Sequence, residues 1–385
     1  MSSDVAEMQR ATDVMPVDWR EVAVTDVVAM LPGFAFKSEN FVTDTDAGLP
    51  LIRIRDLDQT TTVTRYVGDY DEAFAVQDGD ILVGMDGAFE VVRWRGGKAL
   101  LNQRVLKLTS ARPSAMDEGY LFYRVQPALA ELEQTISGTT VKHLSTKDLR
   151  RLTWQLPPLD EQRWIAEVLR SVDETIAAAV AVRETTCSLL HSVRHNAFSD
   201  AKKIVDFASV ITLVSGQHVD TEQCNKVGLG VPYLTGPSDF PDGEISVTKF
   251  TTTPSVMCQP GDILITVKGS GVGKAVIAHN RYCISRQLMA LRSNELPTAF
   301  LFEALQMVVE ELNTEASGPI PGITRGHILV KPIPVMERSA QESLAATFSS
   351  LREQLRFANE HLELLGVLKS SLMSDLLSGR GRMPA

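Results

Sequence analysis

The C-terminal part of the chain carries a regular apolar repeat. Its apolar residues recur at steps of four and three, broken at one polar position, Lys369, which is the pattern of a coiled-coil seam. The same frame recurs in the middle of the chain, with polar residues at Arg183 and Thr186. Each pattern predicts a helix of about 40 residues, roughly 60 Å long. Because a lone helix would expose its apolar stripe, we expect the two helices to pair. The seam positions are Leu344, Phe348, Leu351, Leu355, Ala358, Leu362, Leu365, Leu372 and Leu376, matched by Ile165, Leu169, Val172, Ile176, Ala179, Val193 and Ala197.

A different pattern precedes each predicted long helix. Short apolar runs, Ile81–Val83 and Ile263–Val267, each follow a turn of the type Gln-x-Gly-Asp, which is typical of strands in a β-rich domain. Further along, Tyr120–Glu133 and Ala299–Asn313 have helical character. The sequence therefore predicts two parts of mixed α and β structure, each with a curved antiparallel sheet.

The chain is internally duplicated. Val76–Val83 recurs as Cys258–Ile265, and Leu101–Leu108 is echoed by Ile284–Leu291. The period of about 180 residues is longer than that of solenoid repeats. We therefore expect two copies of a whole domain, each followed by one long helix.

Composition excludes several classes of protein. The 385 residues carry a net charge of −10, which argues against a protein that coats nucleic acid indiscriminately. The four cysteines form no CxxC pair, so neither a disulfide scaffold nor a zinc ribbon is expected. The chain shows no signal peptide and no membrane-spanning run. These features predict a cytoplasmic protein.

Positive charge is concentrated in two equivalent stretches. Val91–Met116 and Ile263–Asn294 contain no carboxylate, and both follow the Gly-Asp-Ile-Leu motif. Charge placed at the same position in two repeats suits contact with a phosphate backbone, although solvated loops are the simpler alternative. The cations of the two stretches are Arg93, Arg95, Lys98, Arg104, Lys107 and Arg112, and Lys268, Lys274, Arg281, Arg286 and Arg292.

Side chains that can read bases lie among these cations. Asn102-Gln103-Arg104 and Ser285-Arg286-Gln287 offer amide and guanidinium groups, which hydrogen-bond adenine and guanine in the major groove. Glycine-rich loops at Gly84–Gly87 and Lys268–Lys274 would let the backbone approach a phosphate. The same loops would also serve as ordinary turns.

No catalytic centre is predicted. Gly269–Lys274 misses the P-loop spacing and is followed by Ala275 instead of Ser or Thr. Cys187, His191 and His195 share a helix face, but no fourth metal ligand is suggested and we interpret them as surface residues. Motifs for DNA hydrolysis or amino-methyl transfer are absent. We expect this chain not to be an enzyme.

Together these motifs resemble those of the DNA specificity subunit of a Type I restriction-modification system. The resemblance spans about residues 15 to 382 and depends on motifs at the entry to the chain, in both repeats and at the end. The second helix start departs from the pattern, since Ile333–Gln341 has two extra residues before its Gln. The motifs are Met15-Pro-Val-Asp-Trp19, Gly79-Asp-Ile-Leu82, Gly261-Asp-Ile-Leu264, Leu156-Pro-Pro-Leu-Asp-Glu-Gln162 and Leu368–Gly379.

The resemblance implies an α+β fold in which two pseudo-repeated α/β target recognition domains are joined by two long antiparallel coiled-coil helices. The expected organisation is an N-terminal tail (1–19), recognition domain 1 (20–155), spacer helix 1 (156–199), recognition domain 2 (200–333), spacer helix 2 (334–379) and a C-terminal tail (380–385). Each domain would read one half of a split DNA site, and the helices would set the spacing between the halves.

The resemblance also implies partners. Two methyltransferase subunits would dock on the chain and carry S-adenosylmethionine, while this chain would bind no cofactor and no metal. Restriction endonuclease and translocase subunits would join them on double-stranded DNA. Two alternatives remain open: a coiled-coil scaffold for protein interaction without DNA specificity, and a self-contained DNA enzyme.

Equivalent positions in the two repeats give a set of expected DNA contacts. They lie in the basic stretches, in the segment 137–143 and its counterpart 317–325, and in Arg53–Arg55 and its counterpart 235–238. The set is Arg53, Arg55, Arg93, Arg95, Lys98, Asn102, Gln103, Arg104, Thr139, Thr140, Lys142, His143, Thr235, Lys268, Ser270, Lys274, Arg286, Gln287 and Arg325.

Overall fold

The chain divides into two compact units. A computed structural model describes residues 16, 18–44, 47–59, 61–135, 142–199, 201, 203–269, 271–315 and 322–384. Unit 1 comprises Met1–Ala178 together with Leu362–Ala385, and unit 2 comprises Ala179–His361. Two long helices, α4 (Leu159–Ser199) and α7 (Arg338–Leu377), each contribute residues to both units.

Unit 1 is built from eleven strands and three shorter helices among its described residues. The strands are β1 (Arg20–Ala23), β2 (Val28–Pro32), β3 (Phe41–Val42), β4 (Leu49–Ile52), β5 (Arg65–Tyr66), β6 (Ala75–Val76), β7 (Ile81–Gly84), β8 (Val91–Arg93), β9 (Ala99–Leu101), β10 (Val105–Ser110) and β11 (Thr153–Leu156). The shorter helices are α1 (Val24–Val27), α2 (Glu118–Thr135) and α3 (Thr146–Arg150). The sheet orders are β2-β10-β7-β8, β3-β5-β4-β9-β6 and β1-β11.

Unit 2 repeats this plan. Its strands are β12 (Lys203–Asp206), β13 (Thr212–Ser215), β14 (Cys224–Asn225), β15 (Val231–Leu234), β16 (Phe250–Thr251), β17 (Ile263–Thr266), β18 (Ala275–Ile277), β19 (Cys283–Ile284), β20 (Leu288–Arg292) and β21 (Pro332–Val335). Its shorter helices are α5 (Thr298–Glu315) and α6 (Arg325–Leu329). The sheet orders are β13-β20-β17-β18, β14-β16-β15-β19 and β12-β21.

In each unit the Gly-Asp-Ile-Leu motif leads into an inner strand of the four-stranded sheet, which is β7 in unit 1 and β17 in unit 2. β7 is buried along its length because both of its faces are covered, and β17 has the same burial pattern. One face of β7 packs on α2, where Ile81 and Val83 join Tyr120. The other face carries Leu82, which packs with Trp94. A continuous apolar run is expected for a strand buried on both faces.

Each unit contains one parallel strand pair, which the expectation of an antiparallel sheet did not include. β4 pairs with β9 through Ile52 and Leu101, and β15 pairs with β19 through Leu234 and Ile284. The two strands of each pair lie far apart in the chain, so the connection is long enough for the crossover that parallel pairing requires.

Two glycines show how closely the repeats match. A Cβ added to Gly33 would lie 2.0 Å from the carbonyl oxygen of Asn102, and one added to Gly216 would lie 2.1 Å from that of Ser285. Both positions accept only glycine because a neighbouring backbone occupies the space of a side chain. The duplication predicted from the sequence is therefore present in the backbone geometry.

The helix boundaries differ slightly from those expected. α4 begins at Leu159, and α7 begins at Arg338 because Pro332–Val335 pairs with β12 as a strand. At the other end of the chain, Trp19 is buried in the core of unit 1, and its indole nitrogen donates to Glu161. Among the helices formed by described residues, none is apolar over a stretch long enough to cross a membrane.

Candidate nucleic-acid interface

The strand order of unit 1 brings three predicted loops to one edge. Because β4 and β9 are parallel, their carboxyl ends meet, which places Arg53–Arg55 beside Asn102–Arg104. The end of β7 pairs with the start of β10 through Gly84 and Val105. The loop Met85–Gly87 therefore joins the same place. We call these loops, together with Lys142–His143, the unit 1 edge.

The segment after α2 is fastened to this edge by its backbone. Gly87 donates its N–H to the carbonyl of Lys142 at 3.0 Å, and Leu144 donates to Met85 at 2.7 Å. Asp86 and His143 thereby form an isolated bridge. Residues that are more than fifty positions apart in the chain thus become direct neighbours.

A polar cluster lies at the centre of the unit 1 edge. The Nδ1 of His143 is 2.6 Å from the Asp86 carboxylate, and since a carboxylate only accepts, Nδ1 donates. Arg104 Nη1 lies 3.6 Å from the same carboxylate, and its side chain is 55% exposed. Arg104 also has φ 72°, in the left-handed region that disfavours a side chain. The turn holds this guanidinium at the surface, beside Asp86 and His143.

Other cations of the first basic stretch lie elsewhere. Arg93 pairs with Ile81, at the end of β7 opposite Gly84, and its guanidinium stacks over Phe122 at 4.8 Å. Arg93 and Arg95 line a cavity of about 970 Å³, whose lining also includes Asp117, Glu167, Asp173 and Glu174. A lining that mixes both charges suits DNA poorly. The stretch that is continuous in sequence is therefore divided between two ends of the sheet.

Two further predicted residues of unit 1 are not available to contact DNA, because Lys98 is engaged in an ion pair and Asn102 is buried. Lys98 donates to Glu72 at 2.9 Å, and this hydrogen bond lowers the pKa of the Glu72 carboxyl. Asn102 is 6% exposed. On the edge itself, Arg55, Gln103, Arg104 and His143 are the exposed members of the predicted set, and Arg53 is half-buried against Asp56.

Unit 2 has the corresponding edge. The carboxyl ends of β15 and β19 meet, and the end of β17 pairs with the start of β20. This arrangement places Thr235–Ser238, Lys268–Gly269, Gly271–Lys274 and Ser285–Gln287 together, and Lys268 forms an isolated bridge with Gly322. We call these segments, with Gly322–Arg325, the unit 2 edge.

Glycines allow the loops of the unit 2 edge to pack closely. A Cβ added to Gly271 would lie 2.4 Å from the Pro237 Cβ, and one added to Gly236 would lie 2.4 Å from the Gln287 Oε1. The loop that contains Gly271 therefore packs against Pro237, and the turn that contains Gln287 packs against Gly236. Both Lys268 and Lys274 are exposed. Arg325 is tied down, since its Nη1 donates to the carbonyl of Leu213 at 2.6 Å.

A small cavity of about 230 Å³ opens on the unit 2 edge. Three predicted residues line it: Thr235, Arg286 and Gln287. Its lining also includes His218, Tyr233 and Lys249, which the sequence analysis missed because they lie scattered along the chain. Burial raises the pKa of the Tyr233 hydroxyl, and that oxygen accepts from the Val219 N–H at 3.2 Å.

Some predicted residues cannot be placed. Thr139, Thr140 and Ser270 lie outside the described residues. Within the described part of the chain, no group of three or more His, Cys, Asp or Glu side chains is arranged to hold a metal ion.

Comparison with known proteins gives consistent results. Residues 16–181 match the family model described as "Type I restriction modification DNA specificity domain". The Type I restriction enzyme EcoBI specificity subunit of Escherichia coli is 39% identical over 163 residues, which are 41% of this chain and 34% of that protein. The MjaVIII specificity subunit of Methanocaldococcus jannaschii is 21% identical, over 96% of this chain and 94% of that subunit.

The fold has a solved counterpart. The S subunit of a Type I restriction-modification system from M. genitalium superposes with a TM-score of 0.68 at 16% identity, over 95% of this chain and 97% of that one. The resemblance read from the sequence motifs is thus confirmed: residues 16–181 match the family model of the Type I restriction modification DNA specificity domain, and the whole chain is similar to Type I specificity subunits.

Proposed function

We propose that this chain is the non-catalytic DNA-recognition subunit of a Type I restriction-modification complex. In this proposal the unit 1 edge reads one half of a bipartite DNA site and the unit 2 edge reads the other. One observation carries the proposal: in both units, loops that are separate in sequence converge on the equivalent edge and present exposed Arg and Gln side chains. Those side chains bind phosphates and read base edges in the major groove.

The exposure and the chemistry of these side chains support a role in reading the base edges of DNA. Exposed arginine and glutamine occur side by side in each turn, Gln103 with Arg104 and Arg286 with Gln287. Arginine can bind a backbone phosphate or pair with guanine, and glutamine can pair with adenine through two hydrogen bonds. Asn102, by contrast, is buried, so it supports the loop and does not contact DNA.

The proposed spacer is an antiparallel pair formed by α4 and α7. Contacts within each unit support it. In unit 1, Lys369 Nζ lies 2.7 Å from the Asp173 carboxylate, and Ile165 shares a core cluster with Leu376. In unit 2, the rings of Phe198 and Phe348 are 6.0 Å apart. The beginning of each helix thus packs with the end of the other. The unbroken lengths of 41 and 40 residues suit a rigid spacer.

The proposed partners follow from the same role. Two methyltransferase subunits would bind this chain and supply S-adenosylmethionine, and restriction and translocase subunits would complete a cytoplasmic complex on double-stranded DNA. Methylation would then be directed by the two edges, without a catalytic group from this chain.

Selection from random-sequence DNA tests the proposal. The pure chain and the chain co-expressed with its neighbouring methyltransferase are each incubated with the library at a stated salt concentration, since phosphate contacts make affinity salt-dependent. We expect a split, gapped motif to be selected with the partner. If neither the pure chain nor the chain with its partner selected a motif, the proposed function would be overturned and a protein-interaction scaffold would be favoured.

A further inference from the structure

The cavity on the unit 2 edge has a lining suited to an anion. It contains three basic side chains and four hydroxyl side chains, and no carboxylate. The basic residues are His218, Lys249 and Arg286, and the hydroxyl residues are Thr221, Tyr233, Thr235 and Ser285. The carboxylate of Asp220 lies 4.0 Å from His218 Nε2 but is not part of the lining. Lysine, arginine and hydroxyl groups are the usual partners of backbone phosphates.

Two of the cations are available for a ligand. In the described part of the chain, neither Lys249 nor Arg286 forms an ion pair, whereas Arg292 at the other end of β20 pairs with Asp262 at 2.7 Å. A cation that already faces a carboxylate gains little from a phosphate. We propose that this cavity binds one phosphodiester group of the DNA backbone, with Lys249 and Arg286 as its two cations.

The backbone holds both residues in position. Tyr233 donates its N–H to the carbonyl of Lys249 at 2.8 Å, which fixes the lysine beside the strand β15. Arg286 lies in the turn between β19 and β20, where the Ser285 hydroxyl donates to the carbonyl of Thr235 at 2.6 Å. A site whose supports are already hydrogen-bonded loses little conformational entropy when a phosphate binds.

The corresponding place among the described residues of unit 1 lacks these basic side chains. Hydrogen bonds that repeat between the units identify the counterparts: Leu51 donates to Thr64 as Tyr233 donates to Lys249, each at 2.8 Å. The register of the parallel strands aligns Gln103 with Arg286. Phe34 and Gln217 donate to equivalent carbonyls at 3.0 Å, so Ala35 corresponds to His218. All three basic residues are therefore replaced by neutral ones.

Two adjacent residues of one turn, Arg286 and Gln287, have different roles in this proposal. Arg286 points to the cavity that it lines with Lys249, so its charge serves the backbone. Gln287 follows it in the turn and also borders the cavity, but its amide is uncharged and exposed, which leaves the amide for a base. This inference rests on the proposed function, since it assigns a particular contact to an edge that is proposed to read DNA.

Salt dependence provides the first test. Lys249→Gln and Arg286→Gln are compared with the wild type, all as the full chain with its methyltransferase partner, on the DNA that the wild type selects. Each variant should reduce the slope of log K against log salt by about 0.9, which corresponds to about eightfold weaker binding at 0.1 M. The preferred sequence should stay the same. Lys203→Gln removes an exposed charge from β12, away from the edge, and should change neither quantity.

A modified DNA provides the second test. Replacing single phosphates with uncharged methylphosphonates along the half-site should identify one position that weakens the wild type by a similar factor. That replacement should have no further effect on Lys249→Gln. A matching scan of the other half-site should contain no position that responds to Lys249→Gln or Arg286→Gln.

The outcomes separate the two proposals. If the wild type selects no DNA, the proposed function fails. If the wild type selects DNA but the two variants keep the full salt slope, the phosphate site is wrong. An altered base preference for Arg286→Gln would also overturn it, because Arg286 would then read a base. If inorganic phosphate binds the DNA-free chain in calorimetry while no methylphosphonate weakens DNA binding, the cavity serves free phosphate and the proposal is again wrong.

Discussion

Arg104 and Gln287 occupy the same backbone position in the two units. The N–H of Met85 donates to the carbonyl of Arg104 at 2.9 Å, and the N–H of Val267 donates to that of Gln287 at 2.8 Å. Both side chains are exposed at the end of the central strand. The repeats thus present different chemistry at one shared position, which is what two half-sites of unrelated sequence require.

Replacing Arg104 with Ala should relax recognition at one base pair of a single half-site. A lost bidentate contact to guanine costs about 1–3 kcal/mol of discrimination. Selection with the partner-bound variant measures this. Arg95→Ala, which removes a cation at the opposite end of β8, should leave the selected motif intact. If Arg104→Ala weakens all sequences equally, Arg104 binds phosphate instead.

Replacing Gln287 with Ala should relax one position of the other half-site only. The expected loss is again about 1–3 kcal/mol, since glutamine reads adenine with two hydrogen bonds. The salt slope should stay unchanged because no charge is removed. A reduced slope would contradict the division between Gln287 and its neighbour Arg286.

The stability of unit 2 should depend on Glu303. Its carboxylate is fully buried between Arg194, whose Nε donates at 2.7 Å, and Arg352. Glu303→Ala leaves two cations without their shared partner and should destabilise the fold by about 3–5 kcal/mol. Urea unfolding measures the change.

An exposed ion pair provides the matched control for Glu303. Glu342 lies 2.6 Å from Arg338 on the surface of α7. Glu342→Ala should cost less than about 1 kcal/mol, because exposed pairs contribute little. If Glu303→Ala destabilised the fold as little as Glu342→Ala, the buried carboxylate would not be needed for the stability of unit 2.

The cysteines should differ in reactivity. Cys187 is exposed, whereas Cys258 is buried and its burial raises the thiol pKa to about 11. At pH 8 the raised pKa leaves Cys258 almost entirely as the unreactive thiol, so a thiol reagent should label Cys187 first. Peptide mapping of the folded chain measures the order. Labelling of Cys258 at a rate similar to that in urea would contradict its burial.

Shortening the long helices tests the spacer. Removing seven residues from the middle of both α4 and α7 keeps the seam in register and shortens the pair by about 10 Å. The gap in the selected DNA motif should shrink by about three base pairs at 3.4 Å each. An unchanged gap would mean that the helices do not set the spacing. Removal of four residues instead should disrupt the seam and serve as the negative control.

The sequence predicted the repeated elements well because they depend on local patterns. The buried runs at Ile81 and Ile263 became strands, and the heptad pattern became helices of 41 and 40 residues. The parallel pairs were missed, since pairing between distant strands leaves no short-range signal. For the same reason Pro334 and Val335, which were expected at the start of a helix, instead belong to a strand held by β12.

The candidate site was predicted only in part. Arg104 and His143 were expected on one surface and do meet there, because the repeat identified both loops. Arg93 was grouped with Arg104 on the basis of sequence proximity, but the hairpin sends them to opposite ends of β7. Lys249 carries no motif, and only the register of the folded strands places it beside Arg286.

Exposed edge residues are also the residues on which the cores do not depend. Leu82 and Leu264 pack within their units while Gln103 and Gln287 face solvent. Substitutions on the surface usually change stability by less than about 0.5 kcal/mol. New target preferences can therefore arise by a few exchanges in one turn, without loss of folding and without any change in the other repeat. Two edges that vary independently multiply the number of DNA targets available to descendants of a single gene.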